Sequence, residues 1–196
     1  MEELEKFDQE LFISLNSQHN PFWDAIMIFV SNKYVWIPFY VLLVAYIIYR
    51  YRKQSIPMLA LCVVAIGLAD FIASGILKPF FARLRPCYEP ELEGLVNIVQ
   101  GCGGQFGFMS SHASTGFALA VFFNLILSDR YFIFKIVLVV WAVVVSYSRV
   151  YLGVHYPGDI IGGALLGSIL AFACSVGYRY ILFYYPSLRQ GQLQQH

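Results

Sequence analysis

The sequence predicts an all-α fold: a polytopic transmembrane helical bundle of about five spans, with amphipathic interfacial helices at its N-terminus. Charged residues make up 13% of the 196-residue chain and hydrophobic residues 59%, whereas a soluble domain carries about 25% charged and roughly half apolar residues. The apolar residues are also gathered into runs close to the ~20 residues that a helix needs to cross ~30 Å of hydrocarbon. By length the chain is one domain, read as interfacial helices over 1–31, a transmembrane bundle over 32–185 and a disordered, Gln-rich tail over 186–196. A net charge of +1 gives no basic field for nucleic acid, which removes that class of partner.

Along the chain, Leu4, Phe7, Leu11, Phe12 and Leu15 recur at helical spacing beside Glu5, Asp8 and Glu10. That pattern describes an amphipathic helix lying in the membrane interface. The first ten residues are acidic, not a basic segment followed by an apolar run, and so do not read as a cleaved secretory signal. After a turn at His19-Asn20-Pro21, residues 22–30 are apolar but too short to span, and they carry Asp24. They read as a second interfacial or re-entrant helix; fused to its predecessor it would make a sixth span. The five expected spans are 34–49, 56–77, about 113–127, about 131–150 and about 158–183, the third beginning inside the polar motif before it.

Orientation follows from the short loops. Arg50, Arg52, Lys53, Arg130, Lys135, Arg179 and Arg189 all fall on one side of a five-span chain, which is then the cytoplasmic side. The N-terminus, the long loop over 78–112 and the turn over 148–159 lie on the other. Cys62 and Cys174 sit in apolar runs as small core residues. Cys87 and Cys102 share the long loop and are expected to bridge if that loop faces an oxidising compartment.

Three polar clusters stand on that outer side. The first is Lys78-Pro79-Phe80-Phe81-Ala82-Arg83-Leu84-Arg85-Pro86; if it is helical, Lys78 and Arg85 are two turns apart and share a face. Snorkelling anchors are the structural alternative, but the outer edge is where the positive-inside bias disfavours cations. The second is Met109-Ser110-Ser111-His112 at the head of an apolar helix, where backbone N–H groups meet an anion beside a titratable imidazole. An N-capping serine with an interfacial histidine explains it equally well. In the third, Ser148-Arg149 precedes His155, which stands four residues before Asp159. A carboxylate that holds one imidazole nitrogen leaves the other free as a nucleophile.

Ionisable groups at membrane depth are costly and functional by default. Three cations, helix N-terminal donors, two histidines and an aspartate suit phosphoryl transfer, with the cations on the equatorial oxygens, one His attacking and the other protonating the leaving oxygen. The competing chemistry is zinc on His112, His155 and Asp159, against which the neighbouring cations argue.

At these residues the sequence resembles the type-2 phosphatidic acid phosphatase family, whose motifs are K-x6-R-P, P-S-G-H and S-R-x5-H-x3-D. Lys78, Arg85 and Pro86 match the first, and Ser148, Arg149, His155 and Asp159 the third; the middle motif keeps Ser110 and His112 but replaces the flanking Pro and Gly with Met109 and Ser111. The resemblance implies a helical membrane bundle and hydrolysis of a lipid phosphate or diphosphate with no metal or other cofactor. His155 would form a phosphohistidine, Asp159 orient it and His112 act as general acid, with Lys78, Arg85, Ser110, Ser111 and Arg149 holding phosphate. Soluble vanadium haloperoxidases carry similar motifs, but the hydropathy here is that of a membrane protein. The substrates implied are undecaprenyl diphosphate, phosphatidylglycerophosphate or the phosphates of lipid A, met at the outer face of a bacterial inner membrane. A non-enzymatic anion-binding scaffold or transporter is the alternative from another class, and it leaves His112 and His155 without a task.

Overall fold

The computed structural model describes residues 2–191. It contains eight α-helices: α1 Glu2–Asn16, α2 Pro21–Ser31, α3 Ile37–Tyr51, α4 Ser55–Phe71, α5 Lys78–Phe81, α6 Ser111–Ile126, α7 Phe132–Tyr151 and α8 Pro157–Tyr184. Short 3-10 turns join several of them, and the last, Pro186–Gly191, lies in the stretch expected to be a disordered tail. Residues 192–196 of that tail lie outside the described residues.

Among the described residues, three helical runs are long and apolar enough to cross a bilayer: Lys33–Phe81, Asp129–Tyr151 and Pro157–Tyr184. The chain is an integral membrane protein. The first run has 49 residues, about 74 Å if straight and more than twice the ~30 Å of hydrocarbon. It turns at Arg52–Gln54, where Arg52 takes a φ of 50°, and so divides into α3 and α4, which pack on each other. At 11 residues, α2 is only about 16 Å long. Asn20 caps it, its side chain accepting from the Trp23 N–H at 3.0 Å, and this cap separates α2 from α1.

Alanines pack inside the bundle beside larger residues such as Phe122 and Leu138, while many other large apolar side chains face outward. Ala65, Ala69, Ala113, Ala118, Ala142 and Ala171 are buried, while Leu42, Val63, Ile133, Ile161, Leu165 and Phe172 are exposed. That pattern is expected where lipid is the solvent and helices associate by close backbone approach. It is strongest between α6 and α8. A Cβ at Gly163 would lie 2.5 Å from the Ser110 carbonyl oxygen, and one at Gly167 would overlap the Ser114 carbonyl oxygen. The two helices therefore run in backbone contact, with the second turn of α8 beside the first turn of α6. Helix α6 has only 16 residues, yet α4, α7 and α8 all pack around it; as the central helix it has little lipid-facing length to satisfy.

At the region between α4 and α6 the structure departs from the sequence reading. Ile72–Leu77 is a π-helical segment, α5 follows for one turn, and Ala82 adopts a left-handed φ of 47°. Pro79 has no N–H to continue the ladder, which loosens the turn before it. Lys78 and Arg85 therefore do not share a helix face. Arg85 instead lies in an extended segment beside an isolated antiparallel bridge between Leu84 and Phe106, its N–H donating to the Gln105 carbonyl at 3.1 Å, while the Gly107 N–H donates to the Arg83 carbonyl at 2.8 Å.

Candidate active site

The end of α5, the starts of α6 and α8 and the end of α7 meet at one end of the bundle, and they bring all three polar clusters together. Glycine at 163 and 167 permits this, and the Ser110 N–H donates to the Asp159 carbonyl at 3.1 Å. Ser110 is the N-cap of α6, its hydroxyl accepting from the Ala113 N–H at 3.5 Å. The N–H groups of Ser111 and His112 then fall in a first turn, where a helix has no acceptors of its own. Lys78 Nζ donates to Ser111 Oγ at 3.0 Å, and Ser111 Oγ is 2.6 Å from Ser74 Oγ. His112 lies within electrostatic reach of Arg149, His155, Lys78 and Arg85.

His155 and Asp159 are both buried, and His155 Nδ1 is 3.2 Å from Asp159 Oδ2. The same oxygen accepts from the Tyr156 N–H at 3.0 Å. With Nδ1 committed to the carboxylate, Nε2 is the free ring nitrogen. Burial, partly opposed by Asp159, pushes the His155 pKa down to about 4, so the imidazole is neutral at pH 7. Unfolding restores a pKa near 6.5, and the unfolded chain then binds more protons between these values. Stability is therefore full above pH 6.5 and falls as pH drops towards 4. The thermal midpoint of the substrate-free protein should decline over that window, and by less in His155→Gln. An equal decline in both would assign the effect to other groups.

Arg85 is held by the loop. Its Nε donates to the Phe106 carbonyl at 3.1 Å and its Nη1 to the Cys102 carbonyl at 2.6 Å, leaving Nη2 for a ligand. Cys102 is bridged to Cys87, with Cα atoms 6.3 Å apart, so the disulfide fixes the acceptor that aims Arg85. Closing a loop of this length stabilises by roughly 3 kcal/mol in the chain-entropy account. Reduction, or Cys87→Ser with Cys102→Ser, should lower the thermal midpoint and raise KM more than it lowers kcat. Unchanged KM in the double variant would mean that Arg85 is placed without the bridge. Arg149 donates through Nη1 to Ser31 Oγ, while its buried Nε has no hydrogen-bond partner among the described residues.

A cavity of about 650 Å³ opens beside Ser111 and His112 and lies between α3, α4, α6 and α7. Its walls include Leu43, Ile66, Leu119 and Trp141. Three residues of this region escaped the sequence reading. Arg83 donates from Nη1 to Asp159 Oδ1 at 3.0 Å and from Nη2 to Asp8 Oδ2 at 2.8 Å, and Asp8 Oδ1 accepts from the Gly158 N–H at 2.8 Å. Ser31 was hidden inside an apolar stretch. Asp8, Phe12 and Asn16 recur at intervals of four, a spacing that signals one shared face.

A membrane protein that gathers lysine, two arginines and a histidine–carboxylate pair around His112, which itself lines an apolar cavity, is of the class that acts on anionic lipids. Residues 58–182 match the PAP2 superfamily. The chain is 41% identical over 174 residues to a lipid A 4'-phosphatase of Bacteroides thetaiotaomicron, covering 85% of this chain and 75% of that one. It is 36% identical over 172 residues to an undecaprenyl-diphosphatase of Sulfolobus acidocaldarius, covering 85% and 76%. The crystal structure of Aquifex aeolicus LpxE superimposes with a TM-score of 0.65 at 27% identity, over 84% of this chain and 92% of that one. The chain belongs to the PAP2 superfamily and is a membrane lipid phosphatase. The scaffold or transporter reading is set aside.

Proposed function

We propose that the protein removes the 4'-phosphate of lipid A through a phosphohistidine on His155. The observation that carries the chemistry is the buried His155–Asp159 pair within reach of Arg85 and Arg149. The substrate is inferred from the identity to the Bacteroides lipid A 4'-phosphatase. Asp159 holds the Nδ1 proton, and the Nε2 lone pair attacks phosphorus. Lys78, Arg85, Arg149 and the first-turn N–H groups of α6 take the charge on the equatorial oxygens. Ser110 and Ser111 shape that cradle, one by capping α6 and the other by carrying Lys78. His112 gives a proton to the departing sugar oxygen. Water, deprotonated by His112, then attacks phosphorus and breaks the Nε2–P bond, releasing phosphate with the electron pair returned to His155 and the proton left on His112.

On this reading α3, α4, α6, α7 and α8 cross the membrane, α1 and α2 lie in its outer interface, and the site faces away from the cytoplasm. The apolar cavity beside His112 seats part of the lipid's hydrocarbon. Phosphate release by the purified full chain, measured on lipid A, undecaprenyl diphosphate and phosphatidylglycerophosphate, tests the substrate. The highest kcat/KM is expected on lipid A, with loss of the 4'-phosphate in the product. Preference for undecaprenyl diphosphate would overturn the substrate while leaving the chemistry intact.

A further inference from the structure

We infer that Arg83 and Asp8 are positioning residues for the histidine–carboxylate pair, and that the N-terminal helix is thereby part of the catalytic unit. The inference rests on the phosphohistidine reading above and goes beyond it. Asp159 has two carboxylate oxygens with separate tasks. Oδ2 faces His155 Nδ1 and the Tyr156 N–H, and Oδ1 takes Arg83 Nη1 at 3.0 Å. If Oδ1 were released, the carboxylate could rotate, and Oδ2 would no longer be held against the imidazole.

Arg83 is itself fixed on three sides. Its second nitrogen donates to Asp8 at 2.8 Å, and its guanidinium lies 4.1 Å from the centre of the Tyr156 ring. The left-handed residue Ala82 turns the chain just before it. A planar fork that binds two carboxylates at once is a task for arginine and not for lysine.

Helix α1 supplies the outer anchor. Asp8, Phe12 and Asn16 project from one face. Phe12 is buried with its ring edge-on to Tyr156 at 5.4 Å. Asn16 Nδ2 donates to the Tyr151 carbonyl at 2.8 Å and its Oδ1 accepts from the Asn97 N–H at 2.7 Å. Leu4 and Phe7, meanwhile, are exposed. One face of the helix thus docks on the bundle through Asp8, Phe12 and Asn16, while Leu4 and Phe7 stay exposed beside Glu5, Lys6 and Glu10 on the rest of its surface. Asp8 also holds the Gly158 N–H in the first turn of α8, where a Cβ at Gly158 would lie 2.6 Å from its carboxylate.

The test uses the purified full chain and phosphate release from the lipid substrate. Arg83→Gln should lower kcat by roughly 10- to 100-fold, the range typical of partners that orient a reacting group from outside it, with KM within about threefold of wild type. Arg83→Lys should recover part of the loss. Asp8→Asn retains an oxygen for the Gly158 N–H but loses the ion pair, and should lower kcat in the same sense. It keeps the question answerable if Arg83→Gln folds poorly. In a double-mutant cycle, Arg83→Gln should cost little further once Asp159→Asn is present, because both act through one carboxylate.

Wild-type kcat in Asp8→Asn and in whichever Arg83 variants fold would overturn the inference, as would losses that multiply in the cycle. A lowered thermal midpoint with unchanged kcat would do the same, by showing a structural tie alone. His155→Ala, measured alongside, separates the two readings: activity there refutes the nucleophile itself, whereas an inactive His155→Ala with a fully active Arg83→Gln refutes only the tie.

Discussion

His155→Ala is expected to reduce phosphate release to background, a loss on the order of 10⁴-fold or more, as for other enzymes deprived of their nucleophile. The size follows from the site. Nε2 is the one ring nitrogen left free by a buried pair whose other nitrogen is committed to Asp159. The nearby Ser110 hydroxyl is engaged in capping α6 and that of Ser111 in holding Lys78. The fold should survive, because Asp159 retains Arg83 and the Tyr156 N–H as partners. Activity and thermal unfolding measured on the same preparation check this. Substantial turnover by a folded His155→Ala protein would remove the covalent mechanism.

Arg149→Lys should also be severe, lowering kcat/KM by about 10²- to 10³-fold, the usual effect of losing a donor aimed at developing charge. Arg149 leaves the last turns of α7 with one nitrogen on Ser31 and a buried Nε that has no partner among the described residues. A lysine keeps the charge but can serve only one of those directions, and it lacks the planar fork that matches phosphate. Arg85→Lys should cost less, since two of the three Arg85 nitrogens are already spent on the Phe106 and Cys102 carbonyls. Steady-state rates for the two variants give the order. A silent Arg149→Lys would make this arginine an anchor between α7 and α2.

The helices were legible because hydropathy and length decide which segments can enter a bilayer. Expected boundaries such as 158–183 fall within α8, Pro157–Tyr184. The clusters around Lys78, His112 and His155 were legible for the complementary reason, that ionisable groups in such a chain are conspicuous. Two features were not. The expected two-turn helical face joining Lys78 to Arg85 is broken at Ala82, and no local signal demanded a left-handed alanine there. Asp8 looked like one charge among several on a solvated face of an amphipathic helix. Its partners, Arg83 and Gly158, lie 75 and 150 positions away, and periodicity carries no information about such contacts. Which side chains of α1 are buried, Phe12 and Asn16 but not Phe7, depends on what the helix packs against.

Trapping the phosphorylated enzyme decides whether His155 carries the phosphoryl group during turnover. Wild-type protein mixed with lipid A radiolabelled in its 4'-phosphate, and quenched within one turnover in alkali, where an N–P bond survives, should carry label on the peptide containing residue 155. The label should disappear on mild acid treatment and be absent from His155→Ala. Full single-turnover release of phosphate with no label on the protein, or label persisting in His155→Ala, would rule out a phosphohistidine at residue 155.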